Sequence, residues 1–121
     1  MGFLFVGLGG ACGAVLRYAI SLIPIKTDFP VLTLATNLLG ALIIGFIVGF
    51  AEKREVTANT MLFAKTGLCG GFTTFSTFSL EAYTMIKSGA YAGAAVYAVL
   101  SLVLCVAGVF AGAVLGKRLC R

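Results

Sequence analysis

The chain has 121 residues, 60% of them hydrophobic and only 11% charged, with nine basic and four acidic side chains, no histidine and a formal charge of +5. Soluble domains carry charge on about a quarter of their residues, so this exterior must face lipid, and neither a His/Cys metal site nor soluble-type catalysis fits the composition. The few basic residues sit at helix ends, where they read as membrane flanks rather than as a nucleic-acid surface.

A bilayer core takes about 20 mostly apolar residues per helix, and four stretches supply them: Phe3–Ile23, Val31–Ala51, Met61–Ile86 and Ala90–Gly116. Short polar connectors separate them, so the expected architecture is all-α, a single four-helix transmembrane domain over residues 1–121. The first stretch has no Lys or Arg before it, which argues against a signal peptide. It contains Arg17, and the third contains Lys65 and Glu81. Both basic residues are placed towards span ends. The second span opens with Thr33, Thr36 and Asn37. An intramembrane asparagine is expensive without a partner, so it either bonds a neighbouring helix or serves a polar path.

The third span carries the most information. Residues 66–79 read TGLCGGFTTFSTFS. Gly67, Gly70 and Gly71 each disfavour a helix by roughly 1 kcal/mol against alanine, and Thr73 and Thr74 follow at once, so a break is predicted near mid-span. Unpaired backbone survives in a membrane only where protein buries it or it lines a polar cavity, and its freed carbonyls can hold a cation. Phe75 and Phe78 then share a face of the resumed helix, amid the hydroxyls of Thr74, Ser76, Thr77 and Ser79. Such groups often simply pack and bond their own backbone. Following a break, they also describe a pathway in which ring edges and hydroxyls stabilise an anion weakly enough to let it move on. Glu81 continues the Thr73–Thr77 face, either as a relay or ligand or as a carboxyl tied by nearby hydroxyls.

The fourth span adds a stripe of Tyr97, Ser101 and Cys105. Glycines four apart recur (Gly9/Gly13, Gly45/Gly49, Gly89/Gly93, Gly108/Gly112/Gly116) and predict close helix packing. Four helices are few for enclosing a polar path, so a dimer is expected.

Three motifs give the chain a family resemblance: GGACGAVLRY at residues 9–18, NLLG at 37–40 and GLCGGFTTFSTFS at 67–79. Together they resemble the Fluc (CrcB) fluoride channels in order, spacing and total length. The resemblance implies an antiparallel, dual-topology dimer with two fluoride pores in the cell membrane. It matches Phe75 and Phe78 to the rings whose edges face the ion, and Gly70 and Thr73 to the backbone carbonyls that hold a structural sodium ion between subunits. It also matches Asn37 to a vestibule asparagine, Arg17 to the arginine near the end of the first helix, and Tyr97 and Ser101 to a polar track in which Cys105 replaces an expected hydroxyl. Gly67 and Gly71 belong to the same motif as structural positions. The implied physiology is passive export of fluoride, protecting the cell from its toxicity.

With four spans, Lys53, Arg54, Lys65, Lys117, Arg118 and Arg121 fall on or near the side of the termini, and Arg17, Lys26 and Lys87 nearer the other. That bias favours cytoplasmic termini and raises the alternative of a heterodimer with an oppositely oriented paralogue. The competing function is a small proton-coupled multidrug exporter, which needs a membrane-embedded carboxylate, typically on the first helix. Phe3–Ile23 has none. A purely structural membrane protein would leave the broken helix and its hydroxyls unexplained.

Overall fold

The computed structural model describes residues 1–120, so Arg121 of the charge tally lies outside the described residues. Helix α1 spans Gly2–Ser21 and α2 spans Val31–Ala51. The third crossing begins with α3 at Ala58–Met61, widens into a π-helical stretch at Leu62–Cys69 and closes with a short turn, α4, at Gly70–Phe72. After a break, α5 runs Phe75–Lys87 and α6 runs Tyr91–Leu119. Three helices, α1, α2 and α6, are long and apolar enough to cross a membrane. The remaining crossing is made of two half-helices. The protein is a multi-pass membrane protein, and large apolar side chains such as Phe3 and Phe110 are largely exposed on the outside of the bundle.

Glycine decides how the helices pair. In α1, a Cβ at Gly9 would strike the Phe63 carbonyl, and one at Gly13 would lie 2.6 Å from the Phe72 amide nitrogen. Gly67 and Gly71 answer from the other side, against Val6, Gly9 and Gly10. Gly2 meets Leu62, whereas Gly13 meets Leu68 and Phe72, so α1 and the first half of the third crossing run parallel. The second pair, α2 with α6, is parallel as well: Gly108 faces Leu38 and Ala41, and Gly116 faces Phe46 and Phe50. Gly45 and Gly49 accept the backbone of Val109 and Ala113 in return. Each pair is thus an interlock of backbone against backbone, as small residues permit in membranes. The two pairs touch one another far less than they touch internally.

Two sequence expectations are corrected. Gly89 and Gly93 form no packing groove. Gly89 takes a left-handed φ of 86° in the α5–α6 turn with no atom near its missing Cβ, and Gly93 meets only side chains. The third helix does not break at its glycines either. Gly67, Gly70 and Gly71 are helical, and the chain leaves the helix at Thr73 and Thr74, which are extended (φ −83°, ψ 155° and φ −149°, ψ 117°). The threonines win because their hydroxyls capture the ends. Thr73 Oγ1 donates to the Cys69 carbonyl at 2.8 Å, and Thr74 Oγ1 accepts the Thr77 amide at 3.2 Å as the N-cap of α5.

Close approach at α2–α6 leaves no room for side chains. Gly112→Val should lower stability by about 1–3 kcal/mol through forced separation of the helices, read as a fall in thermal unfolding temperature in detergent. Gly7→Ala, whose Cβ would meet nothing within 4 Å, should leave that temperature unchanged.

Candidate functional site

The break is held by side chains from α1 and α2. Asn37 of α2 accepts the Thr74 amide at 2.8 Å through Oδ1 and donates Nδ2 to the Thr74 carbonyl at 3.1 Å. One amide side chain thus pairs both backbone groups of one residue, as a neighbouring strand would. Arg17 of α1 donates Nε to the Gly71 carbonyl at 3.2 Å. Both placements refine the sequence reading. Asn37 makes the inter-element bond that was one of its two expected roles, and Arg17 reaches the break instead of merely flanking its span.

These bonds leave other backbone groups uncommitted. In a continuous helix the Thr74 amide would serve the Gly70 carbonyl and the Thr77 amide would serve that of Thr73. Here those two amides go to Asn37 Oδ1 and Thr74 Oγ1. The carbonyls of Gly70 and Thr73 therefore both lose the amides that a continuous helix would give them. Space is open at Gly70, where a Cβ would meet nothing within 4 Å. Gly40 of α2 makes the turn possible, since a side chain there would collide with the Thr73 methyl group.

Beside the break lies an open groove of about 650 Å³, lined by Asn37, Gly70, Thr73, Phe75, Phe78 and Ser101 among others. Phe75, on its wall, is 79% exposed. The rings of Phe75 and Phe78 lie 5.5 Å apart, tilted by 39°, and α5 begins beside them with the positive end of its dipole. Ser101 Oγ is buried and has no hydrogen-bond partner among the described residues. Cys105 and Lys65 also line the groove, so Lys65 is not a simple span-end flank. A second cavity of about 270 Å³, bounded by Arg17, Ser21, Thr33, Thr36, Thr74 and Thr77, opens on the other side of the break.

The remaining hydroxyls divide by partner. Thr74 bonds Thr77 at 3.1 Å and Ser76 at 3.2 Å, a cluster at the start of α5. Ser79 donates to its own helix at the Phe75 carbonyl, and Thr36 does so at Leu32. Ser76 and Ser79 are exposed and line neither cavity. Glu81 has both carboxylate oxygens engaged, Oε1 by Thr33 Oγ1 and Oε2 by Tyr97 OH, each at 2.7 Å. Of the two readings left open for Glu81, this arrangement is the carboxyl tied by hydroxyls. Tyr97 is fully buried behind Phe78, with ring centroids 4.9 Å apart, and so sits behind the groove wall that Ser101 and Cys105 face.

This bent-helix site can be set beside known proteins. The family model described as CrcB-like protein, Camphor Resistance (CrcB), matches residues 4–113. The chain belongs to the CrcB family. Its CrcB relatives include three proteins named fluoride-specific ion channel FluC. That of Methanococcus maripaludis is 42% identical over 110 residues, covering 90% of each chain. That of Agrobacterium fabrum is 42% identical over 118 residues, covering 94% of each. The one from Methanocaldococcus jannaschii is 38% identical over 119 residues, 98% of this chain and 96% of its own.

Two residues of this CrcB-family site escaped the sequence reading as individuals, Gly40 and Phe29. Gly40 had a signal in its spacing after Asn37. Phe29, whose ring meets Tyr97 edge-on at 5.5 Å, had only its place before Pro30. Asn37→Leu should leave both Thr74 groups unpaired and cost about 2–5 kcal/mol. Thermal unfolding in detergent checks this, and an unchanged midpoint would remove Asn37 from the support of the break.

Proposed function

We propose that this CrcB-family protein is a fluoride-selective channel that exports fluoride passively. The observation that carries the reading is the Phe75–Phe78 pair at an open groove beside a helix break, in a chain whose relatives are named fluoride-specific ion channels. The physics is that of weak, distributed stabilisation. Ring edges are electropositive. The Ser101 hydroxyl and the second Asn37 amide hydrogen are donors not spent on the fold. No Lys or Arg clamps the rings directly, so an anion is favoured without being trapped. Arg17 and the hydroxyls of the smaller cavity form an electropositive approach to the same break. Fluoride that enters a cell as the neutral acid ionises inside, and an inside-negative potential drives the anion out through such a path.

The released carbonyls of Gly70 and Thr73 suit a sodium ion, a hard cation bound by unwound backbone oxygens. One chain offers these two oxygens. A second copy placed around a two-fold axis would double them. In this reading the ion fastens the two breaks together, and the groove that exposes Phe75 is covered by the partner in an antiparallel dimer. A heterodimer with an oppositely oriented paralogue is the second reading. It is supported by Lys53, Arg54, Lys117 and Arg118 at the end that carries the termini, against Lys26 and Lys87 at the other. Lys117 there pairs with Glu52 at 2.6 Å. A proton-coupled exporter is disfavoured, because α1 holds no carboxylate and that of Glu81 is doubly hydrogen-bonded.

Liposomes containing only this chain should release fluoride rapidly, and only when a potassium ionophore clears the charge; chloride should stay. Silence from folded protein alone, relieved by adding the paralogue, would select the heterodimer. Phe75→Ile and Phe78→Ile should each abolish fluoride release without changing the elution volume of the protein. Thr73→Ser, which keeps the carbonyl and the hydroxyl, should reduce release only mildly.

A further inference from the structure

The α1–α2 connector is exposed from Leu22 to Asp28, and only Phe29 and Pro30 turn inwards. The turn that inserts them is built for the purpose. The Phe29 amide donates to Thr27 Oγ1 at 3.2 Å, the Phe29 carbonyl accepts the Val31 amide at 2.7 Å, and Pro30 fixes the entry to α2. The ring so placed packs edge-to-face on Tyr97, with centroids 5.5 Å apart and planes at 80°. Tyr97 is the one large side chain with no exposure at all among the described residues. Its hydroxyl is bonded to Glu81 of α5, and its ring lies 4.9 Å from Phe78 of α5. Phe78 then meets Phe75. Four rings therefore form an unbroken series from the connector to the groove.

We infer that Phe29 is a positioning residue for conduction: through Tyr97 it fixes the ring of Phe78, and thereby the edge that the groove presents. This rests on the channel reading of the Phe75–Phe78 pair. The bonds of Glu81 to Tyr97 of α6 and Thr33 of α2 tether α5 to the bundle, but they hold the Tyr97 ring only at its hydroxyl. Phe29, at the entry to α2, bears on the ring itself and so sets the orientation that Tyr97 passes to Phe78. It also closes the connector side of Tyr97, keeping water from competing for the Tyr97–Glu81 hydrogen bond. An edge-to-face pair restrains orientation as well as filling space, because ring edge and ring face carry opposite charge.

The test uses fluoride efflux from liposomes with Phe29→Ala, Phe29→Leu and Phe29→Tyr beside the unaltered chain, each checked for unchanged elution volume. The unaltered chain must conduct, which tests the channel reading on its own. Phe29→Ala and Phe29→Leu should then slow efflux by about three- to tenfold, the scale of one aromatic pair, while Phe29→Tyr, which keeps the ring edge, restores it. Leucine fills space without a ring. If Phe29→Leu conducts as well as Phe29→Tyr, or Phe29→Ala as well as the unaltered chain, the positioning role is overturned while the channel reading stands.

Discussion

The structure depends on the two hydrogen bonds between the Asn37 side chain and the backbone of Thr74. An interrupted helix in hydrocarbon leaves peptide groups that water cannot reach, and each such group is costly. Asn37 answers both backbone groups of Thr74 with one side chain. Arg17 answers Gly71, and the two threonine hydroxyls answer the ends. With those demands met, the chain can turn between two helical halves. The turn is what puts Phe75 and Phe78 beside a groove and releases the carbonyls of Gly70 and Thr73.

The hydroxyls show how little of a polar stretch is available for a ligand once the fold has taken its share. Thr73, Ser79 and Thr84 return their protons to their own helices. Thr33 and Tyr97 are committed to Glu81, which joins α2, α5 and α6 at one point. Ser101 alone is buried in the groove wall without a bond among the described residues. A sequence dense in Ser and Thr therefore yields a sparse set of donors, in keeping with a path that must not hold its ion tightly.

The crossings and the existence of a break were legible in the sequence, because apolar length and the run of glycine and threonine in TGLCGGFTTFSTFS each have direct physical consequences. The cause of the break was not. Helix propensity pointed to Gly67, Gly70 and Gly71, yet Gly67 and Gly71 serve close approach to α1, a tertiary contact that propensity does not register. Val31–Ala51 was bounded correctly, while the other spans differ by one to three residues at both ends, where the connectors continue or curtail a helix. Arg17 was placed by its position near a span end. A long side chain on a helix can reach back into the bundle, and its bond to Gly71 is visible only once α1 and the third crossing are seen side by side. Phe29 was hidden because nothing local distinguishes a connector ring that packs inwards from one that does not.

The glycine interlocks carry a mechanical consequence. Where a carbonyl lies against a missing Cβ, as at Gly13, Gly49 or Gly112, there is no layer of flexible side chain to shear, and sliding by even a fraction of a turn would drive backbone into backbone. Proteins that ferry a solute by alternating access rock one bundle against another and need slack along that seam. Within each helix pair this protein has almost none. Each pair therefore behaves as one rigid unit, and any relative motion is confined to the thinner contacts between the pairs.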